Sequence, residues 1–342
     1  MNHLEDISQD GSEPAVRMTP LFSGSGGNAT FLQFGSMNLL VDIGCSCKRI
    51  TEAMNGIGQR PEDLHAIFIT HDHGDHIQGL EVFSRRYHIP VFASERTWNG
   101  IRAFSRNNID ADLGNIFKED QSFCYRGLEV YPFSTPHDSA GSVGYRFSQN
   151  GTIISITTDL GWFSESVKDA VWGSQAILIE ANYSYKMLWD GPYPWSLKKR
   201  IGSKNGHLCN RDCALGISQL IGGGTKHFIL GHLSEENNTP GTARSEVEGF
   251  LQNQDLNNGK DYTLFIARRN KTSDSLVMKN DGSFYQDKIS GSDESEETIN
   301  LNQTTKARKG PYKKQLDIFQ ILQQMEKDGV EVYGKIRKGD LD

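Results

Sequence analysis

The chain has 342 residues, 36% of them hydrophobic and 23% charged, which is the composition of a globular protein large enough to bury a substantial core. No apolar stretch approaches the roughly 18 residues that cross a membrane, and residues 1–17 lack the basic flank and apolar centre of a secretion signal, so we expect a cytoplasmic protein. The formal net charge of −7 excludes a general positive field for nucleic acid, so an enzyme acting on nucleic acid would have to concentrate its basic residues locally.

The first part of the chain alternates predicted strands and helices. Short β-branched or aromatic runs predict strands, and apolar residues at helical spacing predict helices. In chain order we predict strands at 21–22, 30–34 and 38–43, a helix at 48–57, a strand at 64–69, a helix at 77–87 and a strand at 89–93. The glycine-rich segment 23–28 is interpreted as a hairpin turn rather than as a phosphate-binding loop.

The pattern continues to about residue 267. It predicts strands at 128–133, 143–147, 152–158, 176–180, 227–230 and 263–267, and helices at 167–172, 210–220 and 242–252. Strands dominate, but helices recur between them. Two sheets covered by outer helices, an α/β fold of the four-layer αββα type, would accommodate this order.

Composition changes near the C-terminus. Residues 290–298 are polar and acidic, and residues 306–314 contain five basic residues and no acidic one. We predict a flexible leader over 1–17, a main domain over 18–286, a linker over 287–311 and a small helix–strand appendage over 312–342. The appendage would contact a second subunit to form a homo-oligomer, touch nucleic acid, or pack on its own domain.

The run from Thr70 to His76 is the most informative feature of the sequence. It places three imidazoles and two carboxylates directly after the predicted strand at 64–69. Such crowding of ionisable groups is unfavourable without a cation, and adventitious surface histidine runs seldom follow a hydrophobic strand. A single tetrahedral zinc takes three or four ligands, so four within this run already suggest two metals. The four are His71, His73, Asp75 and His76.

Three further residues of metal-binding type follow later strands. His137 comes after the strand at 128–133, Asp159 ends the strand at 152–158, and His232 comes after the strand at 227–230. Each alone could cap a turn. Together they predict additional ligands for a dinuclear site.

The run HDHGDH, followed by His137, Asp159 and His232, resembles the metallo-β-lactamase superfamily. The resemblance implies that one metal is bound by His71, His73 and His137, that the other is bound by Asp75, His76 and His232, and that Asp159 bridges the two. It also implies that Asp42 orients the site. An aspartate rather than a cysteine at 159 disfavours a thiolate-containing site, and the histidine at 73 favours zinc, with manganese as the alternative.

Four segments, 23–30, 39–46, 191–210 and 230–240, are similar to the YycJ/WalJ-type branch of that superfamily, and the resemblance covers about residues 19–270. Members of that branch are 5′→3′ DNA exonucleases connected to mismatch repair. The resemblance therefore implies a hydrolase domain over 18–286 that cleaves phosphodiesters with two divalent metal ions. The rivals are a thioester or lactone hydrolase with the same ligands and a non-catalytic scaffold, which the complete ligand set disfavours.

The segment 191–211 holds basic and aromatic residues and no acidic one, which are the two needs of a single-strand channel, although a solvated basic face would look alike. The predicted DNA contacts there are Tyr193, Trp195, Lys198, Lys199, Arg200, Lys204 and His207. We expect catalysis to depend on Asp75 and on His207, which could hold a phosphate or protonate the leaving oxygen; a turn residue is the alternative for His207.

The cysteines have no framework spacing, and an odd count argues against a disulfide scaffold. A metal role is conceivable for the pair at 45 and 47. The five are Cys45, Cys47, Cys124, Cys209 and Cys213, and we predict buried, inert thiols at 45 and 47 and packing at 209 and 213.

Overall fold

Two β-sheets form the centre of the fold. The computed structural model describes residues 16–104 and 109–289. The strands in chain order are β1 (Val16–Gly24), β2 (Gly27–Phe34), β3 (Met37–Val41), β4 (Leu64–Phe68), β5 (Val91–Ser94), β6 (Gly114–Phe117), β7 (Phe123–Tyr125), β8 (Leu128–Ser134), β9 (Val143–Gln149), β10 (Thr152–Thr157), β11 (Ala176–Glu180), β12 (His227–Gly231), β13 (Thr263–Ile266), β14 (Ser275–Met278) and β15 (Phe284–Asp287). The predicted leader before residue 16, the appendage with its subunit contact, and the linker from residue 290 onward lie outside the described residues.

Within these ranges, the first sheet has eight strands in the order β15-β14-β1-β2-β3-β4-β5-β6, and the second has seven in the order β13-β12-β11-β10-β9-β8-β7. The strands from β3 to β6 run parallel, and so do the strands from β10 to β13. Parallel strands are covered on both faces, which explains the nearly unbroken apolar sequence of β11.

Helices connect and cover the strands. They are α1 (Cys47–Gly56), α2 (Gly74–Ile77), α3 (Leu80–Tyr87), α4 (Glu95–Phe104), α5 (Glu165–Val171), α6 (Tyr185–Asp190), α7 (Trp195–Ile201), α8 (Asn210–Gly222) and α9 (Pro240–Gln252). Side-chain caps fix several starts: the Ser46 hydroxyl accepts a hydrogen bond at the start of α1, and Thr239 does so at α9, where Pro240 follows. Among the described residues, no helix combines the length and hydropathy needed to cross a bilayer.

Three hydrophobic clusters hold the sheets and helices together. Between the sheets, Phe68 of β4 packs edge-on against Tyr145 of β9, with ring centroids 5.6 Å apart. The outer face of the first sheet buries Phe83 of α3, and the outer face of the second buries Ile217 of α8. The layers follow the order helix, sheet, sheet, helix, which confirms the predicted αββα sandwich.

Several elements were not predicted. The helices α4, α6 and α7 and the strands β6, β7, β14 and β15 have no counterpart in the sequence patterns. The two helices α6 and α7 have six and seven residues, too few to show a helical period. The strand β7 has three residues, and β6, β14 and β15 have four each. Strands this short do not show a clear alternation of apolar and polar residues. Sheet pairing, rather than local pattern, makes these segments strands.

The topology brings many strand ends to one edge of the sandwich. The parallel strands β3 and β4 of the first sheet and β10, β11 and β12 of the second all point the same way within their sheets. The two sheets are joined at this edge by a hydrogen bond from the Val143 N–H to the Thr70 carbonyl, 3.1 Å. Side chains that follow these strands therefore face one another across the gap between the sheets, which is where ligands bind in open α/β sheets.

One half-buried histidine far from this edge makes the fold sensitive to acid. His227, at the start of β12, hydrogen-bonds the Thr263 hydroxyl at 2.8 Å and packs on the ring of Phe284, with centroids 4.3 Å apart. Burial, with a smaller contribution from Lys226, lowers the pKa of His227 to about 4. As the pH falls below about 6.5, His227 becomes protonated in the unfolded chain, but in the folded chain it stays neutral until the pH approaches its folded pKa. The free energy of unfolding therefore decreases over this interval.

We therefore expect stability to fall as the pH drops from neutral to about 4, with His227 responsible for about 1–2 kcal/mol after allowing for its partial exposure. Urea unfolding in EDTA, compared at neutral pH and about pH 4.5, measures this. The variant His227→Gln should lose about 1–2 kcal/mol less over that interval than the unmodified protein. Equal losses in the two proteins would contradict the assignment.

Candidate metal centre

Three residues of the predicted site have left-handed backbone shortly after their strands. Asp42 follows β3 with φ 64°, Asp159 follows β10 with φ 57°, and His232 follows β12 with φ 54°. Left-handed backbone is unfavourable by about 1–2 kcal/mol for a residue with a Cβ. Strain of this kind persists where the surroundings fix a side chain for a functional purpose.

The structure brings all seven predicted metal ligands together at this edge. Their ligand atoms form overlapping groups in which all atoms lie within 4.8 Å of one another: His71, His73 and His137; Asp75, His76 and His232; and His71, His76 and Asp159. Representative separations are 3.3 Å from His73 Nδ1 to His137 Nε2, and 3.2 Å from His76 Nε2 to Asp159 Oδ2. Two groups of three that share Asp159 as a neighbour are the arrangement that a dinuclear site requires.

Several of the predicted ligand atoms lack hydrogen bonds that a bound cation would replace. His71 Nε2, His232 Nε2 and Asp159 Oδ2 are buried and make no hydrogen bond of acceptable geometry, although His76 Nε2 lies 3.2 Å from Asp159 Oδ2 and Asp75 Oδ2 lies 3.6 Å from His232 Nε2. A buried polar atom without a partner is rare and unfavourable by about 1–3 kcal/mol. These three atoms belong to residues predicted as ligands, and divalent cations held among them would satisfy all three.

In three of the histidines, a neighbour fixes the other ring nitrogen. The Nδ1 atom of His137 donates to the Gly206 carbonyl at 3.0 Å, that of His76 to Asp42 at 2.8 Å, and that of His232 to Glu180 at 2.8 Å. A hydrogen bond at Nδ1 selects the tautomer and leaves Nε2 as the lone pair for a metal. Asp42 is itself held by the backbone N–H and hydroxyl of Thr70, so it orients the ring without facing the centre.

Electrostatics in the site follow from burial and opposite charge. Burial alone would lower the pKa of His76, but the carboxylates of Asp159, Asp42 and Asp75 raise it well above its usual value. The pKa of His232 is raised to about 10 against the same burial effect, chiefly by Asp159. Although burial opposes it, contact with these imidazoliums lowers the pKa of Asp159 well below its usual value. Protons at these histidines would compete with cations, so metal binding should weaken in acid.

Glu180 is a site residue that sequence reasoning missed. It ends β11, is fully buried, and accepts hydrogen bonds from the backbone N–H groups of Leu160 and Leu208 at 3.0 and 3.2 Å. Its Oε1 atom lies 2.8 Å from Nδ1 of both His207 and His232. A carboxylate closing an apolar strand, as at positions 42 and 159, was the signal that could have revealed it.

Asn28 was also missed. The hairpin from β1 to β2 is confirmed, with Gly24 opposite Gly27, and it carries Asn28 into the site. The side-chain amide of Asn28 lies 3.3 Å from Asp75 Oδ2, 3.4 Å from the Asp75 carbonyl and 3.0 Å from His76 Nε2. Nothing in a glycine-rich turn distinguishes an asparagine that supports a ligand from one that only shapes the turn.

His207 lies beside the cluster. Its ring centroid is 5.2 Å from those of His137 and His232, and about a fifth of its side chain is exposed. The bond to Glu180 occupies Nδ1, so Nε2 is the nitrogen that can reach a substrate. The position favours the prediction of a proton donor or phosphate contact over that of a turn residue.

The basic aromatic segment forms α7 and the chain on either side of it. Trp195 is 53% exposed, and the Lys199 ammonium lies 5.4 Å from the centroid of its ring. Arg200 hydrogen-bonds the carboxylate of Asp138. Tyr193 packs, partly buried, against the small cluster beneath the helix. Lys204 precedes His207, and its carbonyl abuts Gly161, where a Cβ would lie 2.1 Å from it.

Lys198 does not fit the prediction of a DNA contact. It is only 8% exposed, and its ammonium donates to the carbonyls of Trp189 and Gly191 at 2.7 Å each. The lysine thereby satisfies backbone acceptors at the end of α6 and ties α6 to α7. The prediction assumed that every lysine of the segment faces solvent, and the structure corrects it for this one.

The cysteines are all free, as predicted. Burial raises the pKa of the Cys45, Cys209 and Cys213 thiols, which makes them poor nucleophiles and poor metal ligands. Cys47 is buried as well, and Cys124 is exposed.

Comparisons with known proteins agree with this geometry. A β-lactamase superfamily domain matches residues 38–232. The chain is 36% identical over 255 residues to the exodeoxyribonuclease WalJ of Streptococcus pneumoniae, which covers 74% of this chain and 95% of that protein. It is 36% identical over 249 residues to the exodeoxyribonuclease YycJ of Bacillus anthracis, covering 73% of this chain and 94% of that protein.

A solved structure shares the fold. The metallo-β-lactamase fold protein YhfI of Bacillus subtilis superposes with a TM-score of 0.57 at 16% sequence identity, covering 75% of this chain and 99% of that one. At this identity the likeness concerns the fold alone.

Proposed function

The chain belongs to the metallo-β-lactamase superfamily, within its YycJ/WalJ branch, and from this membership and the site geometry we propose that it is a two-metal phosphodiesterase that degrades DNA from an end. The observation that carries the proposal is the set of seven clustered ligand residues in a chain that matches an exodeoxyribonuclease over nearly the whole length of that enzyme. A DNA substrate would place the enzyme in the cytoplasm, as the sequence predicts.

The ligand set supports two divalent cations. His71, His73 and His137 would hold one cation, Asp75, His76 and His232 the other, and Asp159 would contact both. Imidazole-rich donors suit zinc, and the carboxylates leave manganese as the alternative. When bound, the cations supply Lewis acidity, which makes water more acidic and neutralises charge on a phosphodiester.

The proton for the departing oxygen would come from His207. Glu180 accepts a hydrogen bond from Nδ1–H of His207 and so fixes the ring; in the doubly protonated form of the ring, the proton on Nε2 is the one available to the leaving group. Glu180 stays ionised in this position, because its contacts with His207 and His232 lower its pKa although burial alone would raise it. The same carboxylate contacts His232, so it couples the proton donor to the ligand cluster.

The strand of DNA would lie along α7. Lys199 and Trp195 offer a positive charge and an exposed ring side by side, and Arg200 approaches the cluster through Asp138, the neighbour of His137. Phosphates would follow the basic residues while a base stacks on the ring. Trp195, Lys199 and Arg200 would form the DNA-binding surface. Tyr193 would support this surface, and Lys204 would extend its positive charge toward His207.

The experiment is a cleavage assay with DNA labelled at either end. Metal-loaded protein should release nucleotides stepwise from single- or double-stranded DNA, and the label released first reports the polarity, which the resemblance implies to be 5′→3′. Asp75→Ala should abolish release while leaving the fold intact by circular dichroism. Inertness toward every nucleic acid, beside rapid cleavage of a thioester or lactone, would replace the proposal with the rival hydrolase.

A further inference from the structure

Phe104 is an exposed aromatic residue beside the ligand loop. It is the last residue of α4 and is 55% exposed. A Cβ on Gly74 would lie 3.5 Å from Cε2 and 3.7 Å from Cζ of this ring, so the ring packs against Gly74. Gly74 stands between His73 and Asp75, two residues of the proposed metal centre. The ring therefore borders the centre from the side of the first sheet.

The helix that carries Phe104 is firmly anchored. Trp98 is 4% exposed and donates its indole N–H to the Asn115 carbonyl at 2.9 Å, and Ile101 is 1% exposed. The backbone of α4 also touches the ligand loop directly, because a Cβ on Gly100 would lie 1.8 Å from the Asp72 carboxylate. Only glycine permits this approach.

These contacts hold α4 in place one turn before Phe104, and the ring of Phe104 itself packs on Gly74. The exposed part of the Phe104 ring can stack on a flat surface such as a nucleobase. Its counterpart is Trp195, which is exposed to a similar degree on α7, the helix that reaches Asp138 and His137 through Arg200. Phe104 thus contacts the ligand loop directly, whereas Trp195 lies on the helix whose Arg200 contacts Asp138.

DNA supplies flat surfaces at the required place. An exonuclease must separate the terminal nucleotide from its neighbour to bring one phosphodiester to the metals, and the unstacked base then loses its apolar contact. Stacking on an aromatic side chain restores about 1–3 kcal/mol per base without regard to sequence. Resting on the proposed nuclease function, we infer that Phe104 stacks on a nucleobase adjoining the scissile phosphate and is a substrate-positioning residue of this site.

The test compares normal oligonucleotides with a series that carries one abasic position among the first four nucleotides. Phe104→Ala should lower kcat/KM on normal DNA by about 5- to 140-fold. One abasic substrate should be cleaved more slowly than normal DNA by the unmodified enzyme but not by Phe104→Ala. Phe104→Trp should restore the rate, and Phe104→Leu, which keeps apolar bulk without a π face, should not.

A matched control is Tyr285→Ala, which removes an exposed aromatic ring from β15 at the other edge of the first sheet. It should cleave all substrates at the unmodified rate. Metal content and melting temperature, measured for every variant, separate misfolding from a lost contact. Wild-type-like cleavage by Phe104→Ala, or an equal loss on all abasic substrates, would overturn the inference.

A change of oligomeric state in Phe104→Ala without a change in rate would assign the ring to a subunit contact and would also overturn the inference. These outcomes concern Phe104 alone. Failure of the unmodified enzyme to cleave any DNA would instead remove the proposed function.

Discussion

Asp159→Asn is expected to lower the rate of DNA cleavage by at least about a thousandfold, equivalent to about 4 kcal/mol of transition-state stabilisation, and to reduce the bound metal. The Asp159 carboxylate is 2% exposed and lies 3.2 Å from His76 Nε2 and 3.5 Å from His232 Nδ1. An amide keeps the shape and removes the negative charge that both cations would share. Metal analysis after gel filtration, together with single-turnover cleavage, measures the two effects.

Asp138→Asn is the matched control for this change. Asp138 follows His137 and lies 3.5 Å from its Nε2, but its carboxylate is partly exposed and bonded to Arg200, and it belongs to none of the ligand groups. We expect this variant to retain both metals and to lose less than about tenfold in rate, because exposed ion pairs contribute little. A fully metallated Asp159→Asn with wild-type affinity would show that Asp159 does not bridge the cations.

The metal centre was largely predictable because its signals are local. Five ionisable residues packed after an apolar strand can be seen in six consecutive positions, and each later ligand follows a strand whose apolar pattern is clear. The parallel topology then brings these residues together, because the carboxyl ends of parallel strands meet at one edge of the sheet. The role of Glu180 was not predictable, because it depends on contacts with His207 and His232, which come 27 and 52 positions later in the chain.

The proposed DNA-binding surface on α7 was less predictable, because the sequence does not show which side chains face solvent. Lys198 and Lys199 are adjacent and chemically identical, yet one is buried against two carbonyls and the other lies over an exposed tryptophan. That difference arises from the packing of α6 on α7, which no residue of the segment specifies alone. The position of Phe104 was likewise not predictable, because α4 has no clear signal in the sequence and only its packing places it beside the ligand loop.

His207→Gln is expected to slow DNA cleavage by about 100- to 10,000-fold while leaving metal content unchanged. The alkoxide that leaves from DNA needs a proton, and glutamine can fill the space near Glu180 without supplying one. The measurement is kcat on DNA against kcat on a phosphodiester with a 4-nitrophenolate leaving group, which departs without protonation. The variant should hydrolyse the activated ester within about tenfold of the unmodified rate.

Glu180→Gln should behave differently, because Glu180 contacts both His207 and His232. Its loss would disturb a proposed metal ligand as well as the proton donor, so this variant should lose metal and should be slow on both substrates. The contrast separates a residue that moves a proton from one that holds the site together. Equal losses of His207→Gln on DNA and on the activated ester would instead assign His207 to phosphate binding, since a contact to the phosphoryl oxygens is needed whatever group departs.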